Sequence, residues 1–229
     1  MDLQTQTYLI DAQSLCYQYG QGEIAQTVLK EATLRVASGE FVILAGPSGS
    51  GKSTLLSLIG ALRQCQEGRL NILGMRLDSA NETVMRKIRQ KMGYVFQQHN
   101  LLGFLTALQN VEMTLEMMQE YTASERHDLS RHALEQVGLG DHCYHYSSQL
   151  SVGQKQRVAI ARSIVHTPRL ILADEPTASL DSKTGLKVVD ILHGMVKNMG
   201  CGALVVTHDN RIFDYADRIL HIEDGVVSS

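Results

Sequence analysis

The chain has 229 residues, 44% of them hydrophobic, which is enough for a sizeable buried core of ordinary globular composition. Its 21 Lys and Arg against 24 Asp and Glu leave a formal net charge of -3, and no Lys/Arg run forms a basic patch, so a nucleic-acid-binding role is not expected. The four cysteines (Cys16, Cys65, Cys143 and Cys201) form no CxxC pair and have no His neighbours at metal-ligand spacing, which predicts free thiols rather than disulfides or zinc.

The opening MDLQTQTYLID has no basic stretch followed by an apolar one, so no secretory signal is expected. No run approaches the ~20 apolar residues that cross a bilayer. A cytoplasmic location is therefore predicted, with any membrane role exercised by docking on a separate membrane chain. Next, Tyr8–Ile10, Leu15–Tyr17 and Ala32–Ala37 read as strands joined by turns at Gly20–Gly22 and Ser38–Gly39. They predict a small antiparallel sheet within about residues 1–40.

Phe41–Ala45 is apolar at every position, as a strand covered on both faces would be. Residues 52–63 are apolar nearly all round and predict a buried helix. The stretch 100–165 has no strong strand pattern and reads as a helical insertion. Within it, Thr122 and Glu125 form a capping-box pattern, Leu129, Ala133 and Val137 follow at helical spacing, and Gly138 sits where a helix would end. Leu170–Ala173 and Ala203–Val206 are further fully apolar strands. Between them, residues 182–199 carry Leu186, Val189, Leu192, Val196 and Met199 on one broad helical face. This alternation predicts a doubly wound α/β fold, with the core divided between residues 41–99 and 166–229.

Two segments carry chemistry. Gly46-x4-Gly51-Lys52-Ser53 matches the phosphate-loop pattern in full, preceded by a strand and followed by a helix as that pattern requires. Its glycines let backbone N–H groups turn inward around a phosphate, and the helix N-terminus adds partial positive charge. Lys52 is expected to reach the β- and γ-phosphates and the Ser53 hydroxyl to ligate Mg2+. The second segment is the strand 170–173, which runs into Asp174 and Glu175. In a parallel sheet that end lies beside the phosphate loop. Asp174 is thereby suited to hold Mg2+ through water, and Glu175 to orient or deprotonate an attacking water.

Four more segments occur in a fixed order around these two: Tyr94–Gln97, Leu150-Ser-Val-Gly-Gln154, Ala178–Asp181 and Thr207-His208-Asp209. Together the six resemble the ATP-binding cassette (ABC) family over essentially the whole chain. The resemblance implies a single ATPase domain. Its α/β P-loop NTPase (RecA-like) parallel core would carry an N-terminal antiparallel β part and a helical insertion bearing the Leu150–Gln154 signature.

It further implies hydrolysis of ATP with Mg2+. Gly46, Pro47, Ser48, Gly49, Ser50, Gly51, Lys52, Ser53 and Thr54 would hold the nucleotide. Gln97 would contact Mg2+ and the attacking water, and His208 the γ-phosphate. Tyr19 resembles the aromatic that stacks on adenine, with Tyr17 as its competitor. Ser151, Gly153 and Gln154 resemble signature residues at a helix N-terminus, and Asp181 resembles the family's D-loop aspartate. The two half-sites of such a protein meet across a head-to-tail homodimer.

Length with one motif set implies a stand-alone ATPase subunit of a membrane complex. Asn100–Val111, Gly20–Glu23, Gln98–Leu102 and Leu150–Lys155 resemble the group of lipoprotein-releasing, macrolide-exporting and DevA-type glycolipid-exporting systems. There the permease is a separate chain and a periplasmic adaptor joins the complex. The resemblance thus implies export across the plasma membrane from its inner face. The competing readings are an ATPase that drives a transmembrane signal without transport, and an ATP-binding regulator without turnover, against which Glu175 argues. One residue departs from the family pattern: Val152 stands where glycine is usual, and valine resists positive φ and adds bulk. With Ser151 and Gly153 intact, Val152→Gly is expected to leave ATP-driven dimerisation and hydrolysis similar or improved, as steady-state phosphate release will show. A collapse of activity would contradict this.

Overall fold

The computed structural model describes residues 8–20, 22–178 and 180–228. Gln21 of the expected Gly20–Gly22 turn, Ser179 of the Ala178–Asp181 segment and the first seven residues lie outside it. The chain opens with two long strands, β1 (Tyr8–Tyr19) and β2 (Gln26–Ala37), then β3 (Phe41–Ala45) and α1 (Lys52–Ile59). Next come β4 (Glu67–Ile72), β5 (Met75–Arg76), α2 (Glu82–Arg89) and β6 (Met92–Val95). Three helices follow: α3 (Ala107–Glu116), α4 (Ala123–Gln136) and α5 (Val152–Ile164). The end of the chain supplies β7 (Leu170–Asp174), α6 (Ser182–Met199), β8 (Gly202–Thr207), β9 (Arg218–Glu223) and β10 (Val226–Ser228).

The strands form two sheets. One runs β2-β1-β4-β5 and is antiparallel; the other runs β10-β9-β3-β8-β7-β6 and is parallel except for β10. The first sheet is larger than residues 1–40, because β4 pairs along β1 from Ile10↔Ile72 to Cys16↔Glu67. Tyr8–Ile10 and Leu15–Tyr17 are parts of one strand, not two. A bulge between Ala12 and Leu15 keeps them continuous, with Ser14 at φ 49 and its N–H donated to Thr33 Oγ1 at 2.9 Å.

The all-apolar strands of the parallel sheet have a direct packing reason. Along β3, Phe41, Ile43 and Ala45 face one hydrophobic cluster and Val42 and Leu44 the other. Leu204 and Val206 of β8, and Leu170 and Leu172 of β7, share the second cluster with α1 and the antiparallel sheet. Ala203, Val205, Ile171 and Ala173 meet α5 and α6 in the first. Period-two alternation thus serves two apolar layers, and each fully buried aliphatic side chain contributes about 1.5–3 kcal/mol.

Two helical faces differ from the predicted ones. In α6 the buried face is Gly185, Val188, Val189, Leu192 and Val196, while Leu186 and Met199 are exposed. In α4 the buried face is Ser130, Ala133 and Leu134, continued by Val137, and Leu129 faces outward. Both stripes start one residue away from the expected one, because a 3.6-residue period tolerates either choice when apolar residues flank the seam. Helix α1 ends at Ile59, short of Arg63, where Gly60 packs against the Tyr94 ring.

Helices α3, α4 and α5 pack on one another, and α5 also lies against β6. The junction from β6 into α3 is held by one buried side chain. Asn110 Oδ1 accepts the Leu102 N–H at 2.8 Å, and its amide donates to the carbonyls of Leu102, Leu105 and Thr106 at 3.2, 3.2 and 2.9 Å. Among the described residues no helix is long and apolar enough to cross a membrane. Asn110→Ala removes the side-chain partner of the Leu102 N–H and the Leu105 carbonyl, while the Leu102 and Thr106 carbonyls keep the Leu105 and Asn110 N–H groups; it is expected to cost about 1–3 kcal/mol in urea unfolding, whereas unchanged stability would show that the loop 102–106 is held by other contacts.

Candidate active site

The phosphate loop spans the gap between the end of β3 and the start of α1. Gly51 caps α1 at φ 104, a conformation open to glycine, and a Cβ there would lie 2.9 Å from the Val28 carbonyl oxygen. Lys52, the first helical residue, is buried, and its ammonium donates to the carbonyls of Gly46 and Pro47 at 2.7 Å each. Burial lowers the Lys52 pKa, with the charges of Glu175 and Asp174 opposing the shift. Ser50 Oγ is buried in the loop without a hydrogen-bond partner.

Parallel pairing sets β7 alongside. Ser53 Oγ donates to Asp174 Oδ1 at 3.2 Å, and burial raises the Asp174 pKa against the pull of Ser53 and Lys52. Glu175 turns off the strand at φ 48, a conformation that costs a non-glycine residue about 1–3 kcal/mol and concentrates at functional sites. Three contacts to the neighbouring strand end hold it there. Its N–H donates to the Val206 carbonyl at 2.8 Å, Thr207 Oγ1 donates to Oε2 at 3.2 Å, and His208 Nδ1 meets Oε1 at 2.8 Å. Glu175 is 8% exposed. The His208 side chain is 60% exposed.

A cavity of about 260 Å3 brings together Ser48, Gly49, Gly51, Lys52, Ser53, Thr54, Gln97, Glu175 and His208. Its donor set fits a phosphate chain carrying a hard cation. The phosphate-loop backbone and the Lys52 ammonium line it together with the Ser53 hydroxyl, the Glu175 carboxylate and the Gln97 amide. Among the described residues no group of three His, Cys, Asp or Glu side chains stands ready to bind a metal. A cation here would thus share its coordination with the phosphates, which is how Mg2+ is commonly held. Tyr17 is buried at 9% exposure and Tyr19 is 37% exposed. The Tyr19 hydroxyl lies 3.2 Å from Thr54 Oγ1, and the Arg63 guanidinium sits 5.0 Å from its ring centre.

Other expected residues lie apart from the cavity. Ser151 caps α5, its Oγ accepting the Gln154 N–H at 3.2 Å while Gln154 Oε1 accepts the Ser151 N–H at 2.8 Å. Asp181 caps α6 through the Thr184 N–H at 3.1 Å. None of Ser151, Gly153, Gln154 and Asp181 lines the cavity of its own chain. Val152 is the first residue of α5 and is not among the positive-φ residues, so its backbone makes no demand for glycine. Gly153 packs against α6: a Cβ there would lie 2.6 Å from Thr184 Cγ2.

Sequence reasoning missed a supporting network. Arg211 grips both oxygens of Asp209 at 2.7 Å and donates to Ser182 Oγ, while Thr177 Oγ1 donates to Asp209 at 2.9 Å. Arg211 is the main cause holding the Asp209 pKa down at about 2. This network ties the segment after β8 to the start of α6. A lone Arg three residues past His208 carries no sequence pattern that announces it.

A phosphate loop feeding a buried helix, beside a parallel strand that ends in two carboxylates, defines a P-loop ATPase. Comparison with known proteins narrows the class. Residues 29–178 match the family model described as "ABC transporter". The chain is 42% identical over 208 residues to the lipoprotein-releasing system ATP-binding protein LolD of Anaeromyxobacter dehalogenans, covering 90% of this chain and 87% of that one. It is 39% identical over 222 residues to the macrolide export ATP-binding/permease protein MacB of Bdellovibrio bacteriovorus, covering 96% of this chain but only 34% of MacB. Its fold matches, with a TM-score of 0.90 and 39% identity over 96% of this chain and 97% of the other, the dimeric post-hydrolysis state of the ATP-binding cassette MJ0796 bound to ADP and Pi. That cassette is from Methanocaldococcus jannaschii. The chain belongs to the ABC transporter family, as an ATP-binding subunit.

The Gly153 contact is testable without nucleotide. Gly153→Ala is expected to lower stability by about 1–3 kcal/mol through overpacking, although alanine is the better helix former. Thr184→Ser, which removes only the opposing methyl, is expected to restore most of the loss in chemical denaturation. A Gly153→Ala protein as stable as the wild type would refute the contact.

Proposed function

We propose that this chain is the ATP-hydrolysing subunit of an exporter, driving a substrate such as a glycolipid or another amphiphile through a separate transmembrane permease. The observation that carries the hydrolytic part is the fixing of Glu175, at the rim of the phosphate cavity, by Thr207 and His208. A carboxylate held this firmly beside Lys52 is suited to take a proton from a water attacking the γ-phosphate.

The roles follow from the placement. The loop N–H groups and the α1 N-terminus bind the phosphates. Lys52 spends two of its donors on loop carbonyls and has a third for a phosphate oxygen. Ser53, Asp174 and Gln97 would hold Mg2+, which when bound neutralises charge developing on the phosphates. His208 holds Glu175 through Nδ1 and keeps its other ring nitrogen for the γ-phosphate. Tyr19, the more exposed of the two candidate tyrosines, offers its ring to adenine.

The signature residues Ser151, Gly153 and Gln154 act in trans. The capping box of α5 satisfies two N–H groups of its first turn and leaves others for an anion. Asp181 lies at the same interface. These features, absent from the chain's own cavity, support an ATP-driven head-to-tail homodimer, and the related MJ0796 cassette was solved as a dimer. In this division residues 41–99 and 166–229 bind nucleotide and residues 100–165 carry the signature.

An apolar cleft of about 330 Å3 opens between the end of β6 and α3, lined by Leu62, Tyr94, Phe96, Met113, Met117 and Arg162 among others. Met117, in its lining, stands exposed. We assign this cleft to the permease, with the subunit working on the cytoplasmic face of the plasma membrane as part of the same proposal. Similarity to a lipoprotein-releasing ATP-binding protein and to a macrolide exporter supports the export direction; an amphiphilic cargo and a periplasmic adaptor as third component belong to the proposal. Glu175→Gln is expected to lower kcat by about 100-fold or more while retaining ATP binding, and to accumulate an ATP-dependent dimer on size-exclusion chromatography. Hydrolysis at the wild-type rate would remove Glu175 from this role, and a variant that stays monomeric with ATP would remove the dimer.

A further inference from the structure

Arg162 lies in the last turn of α5, where a cation favours the helix dipole, yet its guanidinium reaches away to another segment. Nη1 donates to the Asn100 carbonyl at 2.7 Å and Nη2 to the His99 carbonyl at 2.8 Å. Among the described residues no carboxylate pairs with it, and burial alone lowers its pKa. A half-buried charge without a counter-ion is costly unless its hydrogen bonds matter. Asn100 presents its carbonyl from a left-handed conformation, φ 49.

The segment it grips runs directly out of the nucleotide cavity. Gln97 lines that cavity, while Phe96 and Asn100 line the apolar cleft on the other side, where Arg162 also sits. His99 shares a further pocket with Gln97 and with Lys155 of α5. The far end of the segment is held by Asn110 of α3. One residue, Gln98, therefore separates Gln97 from the backbone anchored on the helix whose opposite end is Ser151.

We propose that Arg162 is a positioning residue for hydrolysis: its two carbonyl bonds lock the backbone at His99–Asn100 to α5, so that Gln97 and the Ser151–Gln154 helix start move as one rigid body. The inference rests on the reading of Gln97 as a cation- and water-contacting residue. It predicts that Arg162 acts on turnover through Gln97 and leaves nucleotide binding untouched. Small displacements of a contacting group cost up to about 100-fold in rate.

The test uses the full chain and four variants: Arg162→Ala, Arg162→Lys, Gln97→Ala and the double Arg162→Ala/Gln97→Ala. Steady-state kcat, the Kd of a fluorescent ATP analogue and amide hydrogen exchange over residues 98–102 are measured for each. Arg162→Ala is expected to lower kcat about 10- to 100-fold, leave the Kd unchanged and speed exchange in 98–102 but not in α5. Arg162→Lys should recover part of the rate, since one ammonium can hold two carbonyls, as Lys52 does. The double variant should be no slower than the slower single one. Wild-type kcat in Arg162→Ala, or losses that multiply in the double variant, would overturn the proposal. If Arg162→Ala fails to fold, Arg162→Lys with Gln97→Ala must show the same non-additivity, and multiplying losses there would overturn it equally. Full activity in Gln97→Ala would fell the reading of Gln97 itself, and this inference with it. Slow Gln97→Ala beside a fast Arg162→Ala would fell the inference alone.

Discussion

The in-register parallel pairing of β3, β8 and β7 is the constraint on which the site rests. Ala45 lies opposite Thr207 and Asp174 opposite Val206, so the phosphate loop, the two carboxylates and His208 all leave the sheet at one edge. Side chains alternate along a strand, so a slip of one residue would turn Thr207 away from Glu175 and Asp174 away from Ser53. The register is secured by burial, because each of these strands feeds apolar side chains into both layers and cannot shift without inverting them. Hydrophobic packing thereby fixes the position of polar groups that contribute little to stability themselves.

The electrostatics of that edge are arranged against easy relaxation. Lys52 and Asp174 each lose hydration, and burial moves each pKa towards neutralisation, while their mutual attraction and the Ser53 hydroxyl oppose it. Glu175 is held in a strained backbone conformation by three bonds to the end of β8. Groups kept desolvated and immobile in this way are pre-arranged for a highly charged ligand, since little reorganisation remains to be done when it arrives. The strain at Glu175 is sustained by the surrounding sheet.

The helical region between β6 and β7 is organised differently. Its helices are begun by side-chain caps, at Thr106, Thr122 and Ser151, and its entry is held by Asn110 and Arg162 through bonds to loop backbone. The Ser151 cap makes Val152 the first helical residue of α5, without a positive φ and with its side chain 46% exposed. Glycine is required one position later, where Gly153 meets Thr184. A cap made within the chain also fixes the N-terminus of α5 without help from any other segment.

Local chemistry was legible from the sequence alone. The phosphate loop, the acid-ended strand, the Thr122–Glu125 capping box and the three fully apolar core strands each depend on residues close together in the chain, where residue type dictates backbone conformation directly. The bulge that joins two apparent strands into β1, the reach of β4 into the first sheet and the buried faces of α4 and α6 depended on partners more than ten residues away. Only the tertiary structure decided which residues hold Glu175, that Tyr17 is buried while Tyr19 is half-open, and that Arg211 and Arg162 spend their charges on Asp209 and on two loop carbonyls. Such contacts are set by sheet register and helix packing, in which every side chain's position depends on all the others, so no short stretch of sequence contains them.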